Sequence, residues 1–137
     1  MLSRRKFGAC AICTIAGFAA TAVGEAQAQS AGGLKRTILH KTEFPGDKYA
    51  TVLVAVEIEP GFTVARHTHP GVESAYLIDG ELALFVKGEP DRKVKAGEGF
   101  HIPPEVPHGA KNGDKPAKLA VTYVVEKDKP LASPAPE

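Results

Sequence analysis

The residues able to do chemistry fall in two short strings. The first is Gly61-x5-His67-x-His69-x3-Glu73-x6-Gly80. On extended backbone alternate side chains share a face, so His67 and His69 present two imidazoles to one point while Arg66 and Thr68 turn away. Pro70-Gly71 then turns the chain, and Glu73, opening the neighbouring strand, can return a carboxylate to that point. A lone histidine is usually structural or exposed, whereas two at i,i+2 with an acid just past a turn form a metal-binding pattern. The second string is Gly97-x5-Pro103-x-Glu105-x2-His108-x3-Asn112. His108 follows Pro107 at the start of another short strand, so a closed sheet can carry it across to complete three imidazoles and one carboxylate. A metal-free set of satisfied core histidines is the competing reading of the same four residues.

Three nitrogens and one oxygen suit a borderline divalent ion such as Fe, Mn, Ni, Cu or Zn, and suit Mg or Ca poorly because those prefer oxygen shells. An octahedral ion with four protein ligands keeps two positions for water, dioxygen or a chelating substrate, and open positions separate a catalytic site from a closed structural one.

Strands must position these groups. Val52, Val54, Val56 and Ile58 alternate with Leu53, Ala55, Glu57 and Glu59 up to Pro60-Gly61, which reads as a strand. Phe62 to His69 continues extended. Glu73 to Ile78 and Glu81 to Lys87 flank Asp79-Gly80, a dipeptide that favours a tight type I′ hairpin. Further strands are expected at Arg92 to Lys95, Gly99 to Pro103, Pro107 to Ala110 and Lys118 to Glu126. Short strands at close spacing with Gly/Pro turns imply an all-β sandwich or barrel. Gly61, Gly80 and Gly97 read as backbone devices for turns, and Asn112 as a turn residue.

Both strings resemble the two motifs of the cupin family, small β-barrels of jelly-roll type. The first matches throughout, and the second departs only at Glu105, where the family has Gly, so the departure concerns the turn that aims His108. The resemblance implies an all-β, cupin-type jelly-roll β-barrel as a single domain over residues 35–129. It further implies metal ligands at His67, His69, Glu73 and His108, one divalent transition metal as cofactor, and a homodimer.

The chain has 137 residues, 17 Lys+Arg against 16 Asp+Glu, and two Cys. Length allows one ordinary domain. Balanced, mixed charges give no basic stripe, so a nucleic-acid partner is not expected. Residues 1–28 read as an export signal: Arg4-Arg5-Lys6, an apolar run from Phe7 to Val23, then Ala26-Gln27-Ala28 with cleavage near Ala28. That run is short and interrupted, so stable membrane insertion of the mature form is not expected. Ser3-Arg4-Arg5-Lys6-Phe7 resembles the twin-arginine (Tat) signal, which implies the Tat export machinery as partner of the precursor and a periplasmic or secreted bacterial location; an ordinary secretory signal is the alternative. Cys10 and Cys13 lie inside that segment and read as small apolar filling. Residues 29–34 are expected to be a flexible leader, and the Pro-rich tail 130–137 to stay out of any sheet.

Folding in the cytoplasm before export would let the site load Fe or Mn, with Ni, Cu and Zn open. The expected function is a metal-dependent enzyme acting on a small oxygen-rich molecule, dioxygenase-like first and isomerase or lyase next, with Glu73 as ligand and catalytic proton acceptor. The alternative is a non-catalytic module that binds a metal or small ligand. His101 reads as structural or as supporting a ligand, His40 as surface, Arg66 as pointing away from the metal, and Tyr76 and Phe85 as core or pocket wall.

Overall fold

The computed structural model describes residues 28–44, 46 and 48–136, so the expected export signal, Cys10 and Cys13 lie outside the described residues, apart from Ala28. Among the described residues the chain is all strand and turn. It runs β1 (Ala28–Ala31), β2 (Leu34–Glu43), β3 (Tyr49–Ile58), β4 (Thr63–Thr68), β5 (Gly71–Asp79), β6 (Glu81–Val86), β7 (Arg92–Lys95), β8 (Gly99–Ile102), β9 (His108–Asn112), β10 (Ala117–Glu126) and β11 (Ser133–Pro134). These form two antiparallel sheets, ordered β1-β2-β3-β10-β5-β8 and β11-β4-β9-β6-β7. From β3 onward the chain changes sheet at almost every connection, the jelly-roll pattern expected of the sequence.

Alternation does the packing. Ala50, Val52, Val54, Val56 and Ile58 on β3, and Ala117, Leu119, Val121, Tyr123 and Val125 on β10, all turn inward and are buried. Leu77, Leu82, Leu84 and Val94 complete the layer between the sheets. Burying each such side chain contributes roughly 1.5–3 kcal/mol before chain entropy is set against it.

Four expectations are corrected. Asp79-Gly80 does not close a hairpin, because β5 and β6 lie in different sheets and Gly80 is the crossing point. Its φ is +91° and a Cβ there would sit 2.8 Å from the Ala117 Cα, so only glycine passes between the sheets at this place. Glu73 likewise lies across the barrel from His67 rather than on an adjacent strand. The expected leader is partly ordered: Ala28–Ala31 pairs with Leu34–Thr37, and Leu34 is buried in the core. In the tail, Ser133 and Pro134 pair with Thr68 and His67, and Leu131 packs against the core. Proline is admitted because β11 is an edge strand, where a missing donor costs little.

Candidate metal centre

His67 reaches the interior through a fault in its strand. Val64 pairs with Ala110 and His67 with His108, so Ala65 and Arg66 of β4 oppose the single Gly109 of β9, and the ladder bulges there. Strict alternation would put Val64 and His67 on opposite faces; the bulge lets both turn in, consistent with the way bulges re-aim side chains. Gly109 sits against this kink, and a Cβ there would lie 2.8 Å from the Val64 carbonyl oxygen. His69 follows one residue beyond β4, His108 opens β9, and Glu73 comes from β5 on the facing sheet.

These four residues converge. Their ligand atoms all lie within 4.8 Å of one another, and His69, Glu73 and His108 are buried. Donors on opposite sides of an ion bound at ~2.1 Å would be ~4.2 Å apart, so a small contraction closes the set around a cation. His69 Nε2 is 2.9 Å and His108 Nε2 3.1 Å from Glu73 Oε2.

Each imidazole is oriented from behind by a backbone carbonyl. Nδ1 of His67 donates to Ala65 at 2.9 Å, Nδ1 of His108 to Val106 at 2.9 Å, and Nδ1 of His69 to Leu131 at 2.6 Å. A carbonyl can only accept, so the proton is on Nδ1, and the neutral ring turns the Nε2 lone pair toward the centre. His69 Nε2 is buried without a hydrogen bond, despite its approach to Glu73. Lone pairs from imidazoles aimed at a carboxylate oxygen need a cation between them. The donor set therefore fits a metal ion.

The electrostatics agree. Burial, the largest influence, lowers His67 to about 4 against the opposing Ala65 carbonyl, so the ring keeps its lone pair at neutral pH. Burial alone would raise Glu73, but the His108 and His69 side chains that face its carboxylate override it and lower the carboxyl to about 2. Burial pushes the Tyr123 phenol far up and the Glu73 carboxylate adds to this, with Arg36 opposing.

A cavity of about 50 Å³ adjoins the cluster, lined by His67, Glu73, His108, Arg36, Phe100 and Tyr123 over an otherwise aliphatic wall. An outer groove of about 360 Å³ shares Leu34, Arg36, Val64 and His67 with it and is closed on one side by Ala132–Pro134.

The remaining expectations fall elsewhere. His101 is exposed on the outer face of β8, where its Nδ1 lies 3.0 Å from the Ser74 hydroxyl, so it supports no ligand. Tyr76 and Phe85 also take outward parity and line no part of the cavity. His40 is exposed, and Arg66 borders the outer groove but not the cavity. Asn112 is a clamp: its Nδ2 donates to the carbonyls of Ile58, Glu59 and Lys115 at 2.8–3.0 Å, tying the end of β3 to the connection between β9 and β10. Glu105 keeps the left-handed turn at φ 59°, at a cost of roughly 1–2 kcal/mol, and its N–H donates to the His69 carbonyl. The turn that aims His108 thus survives the loss of the family's glycine. Sequence reasoning missed Tyr123, which stands directly across from Glu73 in the β5–β10 register with its ring centroid 4.7 Å from that of His69, and it missed Arg36. The available signal for Arg36 was its place between Leu34 and Ile38 on an inward-facing, otherwise apolar row.

Comparison with known proteins points the same way. The cupin domain model matches residues 54–125. A curated relative, H2HPP isomerase from Bacillus subtilis, is 37% identical over 65 residues, which is 47% of this chain; the match spans only 27% of that protein's length. Among solved structures, an RmlC-like cupin from Shewanella frigidimarina is 26% identical with a TM-score of 0.61, covering 76% of this chain and 87% of its own. The polyketide cyclase RemF from Streptomyces resistomycificus, at 22% identity, shares the fold with a TM-score of 0.63 over 82% of each chain. With that match over more than half its length, and with both motifs gathered at one point inside the barrel, the chain belongs to the cupin family.

Proposed function

We propose that this chain is a metal-dependent enzyme acting on a small oxygen-rich molecule, by isomerase- or lyase-type proton transfer. The observation that carries this reading is the convergence of three carbonyl-oriented imidazoles and one carboxylate on a single point. His67, His69, Glu73 and His108 would hold the ion, Fe or Mn where the site is loaded in the cytoplasm before export, with Ni, Cu and Zn accepted by the same donors. An ion held there would supply Lewis-acid polarisation of a substrate carbonyl or hydroxyl. Tyr123, held protonated at neutral pH, donates a hydrogen bond to a substrate oxygen in the cavity. The Glu73 carboxylate takes or returns a proton there, and the aliphatic wall keeps bulk water out. The B. subtilis relative, itself an isomerase by name, favours proton transfer over the dioxygenase-like chemistry expected first. Periplasmic residence is part of the proposal and rests on the pattern in residues 1–28.

Metal content and turnover test the reading together. The exported protein should carry about one Fe or Mn per chain, and in deuterated water the loaded protein should exchange C–H next to the carbonyl in a panel of small oxo and hydroxy acids. His67→Ala should abolish both. Oxygen uptake by the same panel would replace proton transfer with oxidation, and ligand binding without either reaction would make the chain a binding module.

A further inference from the structure

One charged group in the cavity wall is unused by the metal cluster. Arg36 lies on β2 between Leu34 and Ile38, whose side chains pack into the core, and it pairs across the ladder with the buried Val56. Its parity directs it between the sheets, where it lines both the 50 Å³ cavity and the outer groove. Among the described residues no carboxylate forms an ion pair with it, since the inward-facing acid, Glu73, is engaged by His69 and His108. It stands beside the Tyr123 phenol instead. Arg36 is half-buried, and a guanidinium is always charged and carries planar paired donors, so one that lines the cavity without a counter-ion is free to receive an anion.

We propose that Arg36 and the Tyr123 hydroxyl form an anion subsite that takes the carboxylate of a small 2-oxo or 2-hydroxy acid, so that its neighbouring oxygen faces the imidazole cluster. Arg36 matches a carboxylate through two parallel N–H···O bonds, which a lysine cannot reproduce. The cavity's size limits the buried part of the ligand to a few heavy atoms, with any larger substituent passing Val64 into the groove. The inference deepens the metalloenzyme reading and rests on it.

Isothermal titration of the Zn-loaded protein with two pairs, pyruvate against pyruvamide and lactate against lactamide, tests it, because each pair differs in charge and little else. The wild type should prefer the acids by at least tenfold. Arg36→Gln should weaken the acids by roughly 10- to 100-fold, leave the amides within twofold and keep one metal per chain, while Arg36→Lys restores part of the preference. Retained metal and an unchanged circular dichroism spectrum show that the variant is folded. A loaded wild type that does not prefer acid to amide, or an Arg36→Gln variant with undiminished preference, overturns the inference alone. A wild type that takes up no metal overturns it together with the reading beneath it.

Discussion

At the scale of single residues, the centre is built by fixing protons. Three backbone carbonyls decide that His67, His69 and His108 offer Nε2 inward, and burial keeps His67 neutral to about pH 4. That shift has a consequence for stability. Between pH 6.5 and 4 the unfolded chain takes up a proton at position 67 that the folded chain refuses. The metal-free protein should therefore lose stability as pH falls through this window. Glu73 acts with the same sign lower down, from its ordinary 4.5 toward about 2. Urea unfolding of the metal-free chain at stepped pH measures this, and the His67→Gln variant should show a shallower decline between 6.5 and 4. A decline of equal slope in both proteins would assign the pH dependence to other groups.

At the scale of elements, β11 is the unexpected participant. It borders the groove, and the Leu131 carbonyl just before it holds His69 from a sequence distance of 62 residues. Deleting residues 131–137 should weaken metal binding by roughly 10- to 100-fold, the usual effect of removing a group that orients a ligand, while the strand signal in circular dichroism persists. Competition with a metal-sensitive dye reads the affinity directly, and an unaltered constant would strip β11 of this role. The sequence could not have announced it: a segment with three prolines lacks β propensity, and only an edge position next to His67 makes pairing possible. Strand interiors were more legible, because the inward row of β3 from Val52 to Ile58 is written as plain alternation. The β4 bulge was not, since nothing local marks Ala65-Arg66 as two residues opposing a shorter stretch; the spacing of the two histidines was legible, but their direction depends on Gly109 in a partner strand. Asp79-Gly80 carried a true turn signal whose sense, crossing rather than hairpin, is decided by which sheet has room for β6. Tyr123 stayed hidden because an inward aromatic on β10 looks like core, and the one local sign of Arg36 is a charge set between Leu34 and Ile38.

At the scale of the whole molecule, the ligands tie the two sheets together, with three imidazoles from the β4 and β9 side and the carboxylate from β5. An ion bound there stabilises the folded barrel against an unfolded chain that has no such site, by about 2.7 kcal/mol at a free concentration one hundred times Kd. For a domain of this size that corresponds to roughly 10–20 °C in Tm. Chelation with EDTA should lower the melting temperature by that order, and re-addition of metal should restore it; coincident melts with and without chelator would argue that the centre is not loaded. The groove beside the centre is walled by Ala31 from one end of the described chain and by Ala132–Pro134 from the other. A segment joined close after β11 would start from the wall of this groove, beside the imidazole cluster. A polyhistidine purification handle placed there would compete for the same cations, and metal assays on such a fusion would report the handle as much as the barrel.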